Sequence, residues 1–160
     1  MTDSSSAPGA GLDDDESSLT ELTLPIRLTA GPCYSEHGSI MIACDTHGPD
    51  YMVGFWDVIG PGVHYSEDWA RVGSGDTGVE LALDLRIRWA TAAEQRPGVS
   101  ESFTVREDVP LHVQDPAGAW AMAWPVPAGQ YEVHAEFTDL PEIDDLPVQQ
   151  WVVNIIGWPS

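Results

Sequence analysis

The chain has 160 residues, enough for one domain with a real hydrophobic core, and 42% of them are apolar, including seven Trp. Twenty-six acidic residues face six basic ones, for a formal net charge of −20, and every base is Arg. That balance argues against nucleic-acid binding, which needs clustered cations to displace counterions from phosphates, and against docking on an anionic membrane. No window approaches the roughly 20 apolar residues that span a bilayer.

The start, MTDSSSAPGAGLDDDE, has neither a basic stretch nor an apolar one, so no secretory signal is visible and a cytoplasmic location is expected. Two Cys in such a compartment do not make a disulfide scaffold. Residues 1–18 are rich in Ser, Gly, Pro and Asp with little to bury, and are expected to be a disordered acidic tail before a single domain over 19–160. From Leu22 to Thr29 apolar and polar residues alternate at the period of a half-buried strand. Pro25 cannot donate to a ladder, which predicts an edge strand or one that starts near Ile26. Further strands are expected over Ser39–Asp45 and Tyr51–Ile59, followed by a long loop at 61–78 that carries Trp69.

Val79–Trp89 is the clearest element: Val79, Leu81, Leu83, Leu85, Ile87 and Trp89 point one way and Glu80, Ala82, Asp84, Arg86 and Arg88 the other. Ala90–Arg96 has room for a helical turn. Strand pieces follow at Ser102–Val105, Val109–Val113, Ala119–Trp124, Tyr131–Phe137 and Gln150–Ile156. About eight short strands at turn spacings near ten residues predict an all-β fold, an antiparallel β-sandwich or jelly-roll-like barrel.

The negative charge is unevenly distributed. Residues 71–106 hold five Arg and five acids, whereas residues 107–160 hold nine acids and no base. Such a composition keeps a protein soluble, and it also equips a face to meet a basic partner. Thr138–Pro147 stands out within the cation-free stretch. It interleaves Asp139, Glu142, Asp144 and Asp145 with Leu140, Ile143 and Leu146 between Pro141 and Pro147, and is read as a loop joining the last two strands. Carboxylates beside apolar anchors can imitate phosphates to a cationic cleft while the apolar groups supply burial. Glu132 and Glu136, with His134 between them on one strand face, fit a supporting role or a solvated outer face.

Other chemistries fare less well. Cys33, His37, Cys44 and His47 are four zinc-type ligands within fifteen residues, yet their spacing matches no familiar finger; a small zinc protein remains open, although no metal or other cofactor is expected. There is no G-x-S-x-G elbow, no S-x-x-K, and no phosphate loop with a Lys, so an enzyme is not expected. Exposed Trp, Trp69 above all, would suit a ligand- or carbohydrate-binding module, with core packing the default for any single Trp.

Val79–Arg86, Ser102–Val113 with its Val109-Pro-Leu-His-Val113 run, the turn Val126-Pro-Ala-Gly-Gln-Tyr131 and the closing Trp151–Pro159 resemble a group of small bacterial all-β proteins that includes the competence protein J family of nuclease inhibitors. The resemblance covers about half the chain and implies a non-enzymatic acidic protein, an immunity protein or nuclease inhibitor, that occupies the basic active site of a nuclease or toxin.

Overall fold

The computed structural model describes residues 24–44, 60–107, 109–118 and 120–159, and among these it shows ten strands. In chain order they are β1 (Ile26–Ser35), β2 (Ser39–Ala43), β3 (Gly62–Tyr65), β4 (Trp69–Gly73), β5 (Val79–Trp89), β6 (Phe103–Val105), β7 (Leu111–Gln114), β8 (Ala121–Trp124), β9 (Gly129–Ile143) and β10 (Leu146–Pro159). They form two five-stranded sheets, β1-β5-β10-β9-β6 and β3-β4-β2-β7-β8. All ladders are antiparallel except β5 with β10, a parallel pair at the heart of the first sheet.

The alternation of β5 decides how the first sheet sits. Val79, Leu81, Leu83, Leu85 and Ile87 are all buried, and they pack with Trp151, Val153 and Ile155 of β10 against Ile40, Ile42, Val72, Leu111 and Val113 of the second sheet. Aromatic rings fill the middle: Phe137 meets Trp151 edge-on with ring centroids 4.9 Å apart. Tyr65 ties the layers together, since its hydroxyl donates to the Val133 carbonyl (3.1 Å) and accepts from the Val133 N–H (2.8 Å). Burial pushes that phenol up to about 12, so it stays a neutral donor. At the far end of β10, Gly157 lies directly beneath the Tyr131 ring, where an added Cβ would sit 2.5 Å from Cε2.

Several expectations need correction. Residues 61–78 are not a structureless loop, because β3 and β4 form a hairpin there. Trp69 is only 5% exposed and packs with Met41 and Ala43 in a small cluster on the other face of the second sheet. It therefore offers no platform for a sugar. Residues 138–147 are not a loop either: β9 and β10 run on through them, and Asp144 (φ 50°) with Asp145 (φ 65°) makes the two-residue turn. Two left-handed residues in succession are what a type I′ hairpin needs, and Asp tolerates that region better than most side chains. In place of a helical turn, Ala90–Arg96 holds a single bend closed by Glu94 N–H to the Thr91 carbonyl (3.1 Å). The edge position of β1 and its start at Ile26 are as expected, while the predicted Tyr51–Ile59 strand and the 1–18 tail lie outside the described residues.

Candidate functional site

The β9–β10 hairpin extends past its neighbour, since β5 pairs with β10 only from Glu80, opposite Val148. Beyond that row the chain is exposed: Leu140, Ile143 and Leu146 are 39%, 48% and 37% accessible, beside the exposed carboxylates of Asp139, Glu142, Asp144 and Asp145. The interleaving visible in the sequence thus becomes a single projecting element with charge and apolar surface side by side.

One buried amide fixes the root of this hairpin. Gln149, 4% exposed, donates through Nε2 to Asp139 Oδ1 (3.2 Å) and to Asp76 Oδ2 (2.9 Å) on the β4–β5 connection, while its Oε1 accepts from the Trp151 indole N–H (3.0 Å). A core Trp, a connecting loop and the hairpin are therefore joined through one side chain. The Gly78 N–H donates to the Glu36 carbonyl (3.0 Å), which brings the end of β1 to the same pole. Glu36, Asp76 and Glu80 accordingly join the hairpin acids at this end of the first sheet. Sequence reasoning did not single out these three, because their nearness depends on strand pairing.

Glu132 and Glu136 lie elsewhere. They stand on the outer face of the first sheet: Ile156 pairs with both Glu132 and Arg88, whereas Val152 pairs with both Glu136 and Asp84, and the nearby Arg86 feels the Glu136 charge. Asp84 takes two guanidiniums, Arg86 at 2.8 Å and Arg27 at 3.1 Å, which hold its carboxyl at about 2. Arg88 meets Glu94 at 2.7 Å, and together with the Thr91 N–H it holds that carboxyl at about 2 as well. Glu132 lies 3.3 Å from the His134 Nε2. This face is close to electrically balanced, unlike the hairpin.

The metal candidates do not converge. The Cys33 thiol of β1 faces the Leu81 carbonyl (3.9 Å), and the Cys44 thiol after β2 donates to the Thr104 carbonyl (3.5 Å). Burial, followed by Glu80 and Asp115, pushes the Cys33 thiol up, which disfavours the thiolate a metal would need. His37 lines a cavity at the end of the second sheet, and His47 lies outside the described residues. Among the described residues no three His, Cys, Asp or Glu side chains gather as a metal site would require. The remaining described Trp serve the core: Trp151 and Trp158 are buried, Trp120 and Trp124 pack against the main cluster, and Trp89 stacks on Tyr131 at 6.5 Å; Trp56 lies outside the described residues.

No family model matches the chain, and no curated protein matches its sequence. Among solved structures, it is similar to ComJ of Bacillus subtilis, described as an inhibitor of the DNA degrading activity of NucA, with a TM-score of 0.48 and 13% identity over 83% of this chain and 99% of that one. At that identity the likeness is one of fold.

Proposed function

We propose that the chain is a non-catalytic binding protein that neutralises a basic protein, in the manner of an immunity protein or a nuclease or toxin inhibitor, with the 138–147 hairpin as its contact. The observation that carries this reading is the joint exposure of four carboxylates and three large apolar side chains on one projecting, internally braced hairpin. Apolar anchors supply the desolvated centre of an interface, and surrounding charge steers encounter and fixes register. A type I′ turn braced by Gln149 holds the acids in place before docking, which reduces the entropy lost on binding. Glu132 and Glu136 contribute less, because Arg88 and Arg86 on their own face already offset them.

The experiment separates charge from shape. Asp144→Asn with Asp145→Gly removes two carboxylates while installing the preferred residues for this turn, so the hairpin is retained or strengthened. The tagged full-length chain is used to capture its partner from native lysate, and the purified pair is then titrated across a salt series. The partner is expected to be basic, binding to weaken as salt rises, and the double variant to bind at least tenfold more weakly with undiminished thermal stability. Glu132→Gln with Glu136→Gln is expected to bind nearly as the parent does. A partner that is not basic, or a turn variant with unchanged affinity, refutes the proposal.

A further inference from the structure

The two sides of the sandwich differ. On one, the sheets are laced together: the Thr104 N–H of β6 donates to the Glu67 carbonyl between β3 and β4 (2.7 Å), and the Tyr65 hydroxyl of β3 reaches Val133 of β9. On the other, β1 and β8 are the outer strands of separate sheets, and a cavity of about 240 Å³ lies between them. Ala30, Cys33, Leu81, Leu83, Trp120 and Met122 line it. Its origin is legible in the register. Ala30 pairs with Leu83 and Cys33 with Leu81, so Gly31 and Pro32 together stand opposite a single residue of β5. Such a bulge bends its strand, and an added Cβ at Gly31 would meet nothing within 4 Å.

None of the described lining residues carries a charge, and none belongs to the 138–147 hairpin. The Cys33 thiol already faces the Leu81 carbonyl, which leaves one polar group to account for. The indole Nε1 of Trp120 is buried and has no hydrogen-bond partner among the described residues. Buried indole N–H groups usually find an acceptor, and one left without it retains its desolvation penalty until a molecule supplies that acceptor. Cavities walled by apolar side chains stay dry and take up small apolar molecules. This one therefore combines an apolar chamber with a single unmet donor on its wall residue.

We propose that this cavity binds a small uncharged apolar molecule bearing one acceptor oxygen, of which a ketone is the simplest case. The hydrocarbon part lies against Ala30, Leu81, Leu83 and Met122, and the carbonyl oxygen accepts from the Trp120 indole N–H. A carboxylate of the same size is excluded by its charge: no cation lines the site, and the chain as a whole carries −20. At the ~30 Å³ that a water molecule occupies in the liquid, the volume admits about eight heavy atoms.

The test is a proton–nitrogen NMR titration of the full chain with cyclohexanone, methylenecyclohexane and hexanoate in parallel. Methylenecyclohexane keeps the shape of the ketone but has CH₂ in place of the oxygen. Cyclohexanone is expected to give saturable shifts at the Gly31 and Met122 amides and to move the Trp120 indole N–H, which Trp120→Phe identifies by its disappearance. Methylenecyclohexane should bind at the same amides about tenfold more weakly, as loss of one hydrogen bond to a buried donor does, and hexanoate more weakly still. Trp120→Phe keeps the apolar wall without the donor, so the preference for the ketone should vanish. Ala30→Leu fills the chamber and should abolish binding of both neutral probes with no loss of Tm. Absence of saturable shifts with either neutral probe, tighter binding of hexanoate, a ketone preference that survives Trp120→Phe, or a folded Ala30→Leu variant that binds as the parent does would each overturn the proposal.

Discussion

Replacing Gln149 by Leu tests whether one side chain really links the core to the hairpin. Leu matches Gln closely in volume, so packing changes little, but the Trp151 indole N–H then loses its acceptor in a residue with no exposed surface. An unsatisfied buried donor costs about 1–3 kcal/mol. Asp76 and Asp139 also lose their shared donor, though both are exposed and regain water, so their part is small. The total expected loss is about 2 kcal/mol, or a fall of about 6 °C in Tm for a domain of this size. Urea unfolding of the single variants and of the pair with Trp151→Phe gives the decisive number. With the indole donor already removed, Gln149→Leu should cost about 1–2 kcal/mol less than it does alone. Amide exchange over 138–147 should also quicken in Gln149→Leu, because the hairpin loses its tie to the β4–β5 connection. A coupling energy below about 0.5 kcal/mol would refute the reasoning.

The remaining predictions concern charge and packing. The carboxyl of Asp84 titrates lower in the folded chain (about 2) than its ordinary 3.8, so folding favours the ionised form. Its stabilisation is complete above about pH 4 and is lost as pH falls towards 2. Arg27 and Arg86 are 62% and 44% exposed, and screening reduces the full linkage value to about 1 kcal/mol. Acid unfolding of Asp84→Asn against the parent, with the gap closing below pH 3, checks the sign. Gly157→Ala drives a Cβ into the Tyr131 ring and should cost about 1–3 kcal/mol by chemical denaturation. Trp69→Ala should cost about 3–5 kcal/mol, since the side chain is buried against Met41 and Ala43; a stable variant that had lost affinity for a glycan would contradict that placement.

Period-two alternation carried much of this architecture. Val79–Trp89 could be read as a strand with one wet face because every second residue is large and apolar, and the start of β1 at Ile26 followed from the missing donor of Pro25. Where the alternation was interrupted, reading stopped short. Pro141, Pro147 and a run of acids made 138–147 look like a loop, whereas two consecutive left-handed aspartates let both strands continue to the tip. Gly-rich 61–78 hid a short hairpin in the same way, and with it the burial of Trp69.

Composition and local pattern by themselves determined the all-β class, the inward face of the long strand and the acidic, apolar-studded character of 138–147. Only the tertiary structure decided which charges meet. Residues 107–160 contain no base, yet Glu132 and Glu136 act electrostatically on Arg88 and Arg86 brought by β5, while Asp76 from a distant connection joins Asp139 through Gln149. Faces along one strand follow from backbone geometry within a few residues, whereas the neighbour across the ladder depends on sheet order and register, which arise from packing over the whole chain.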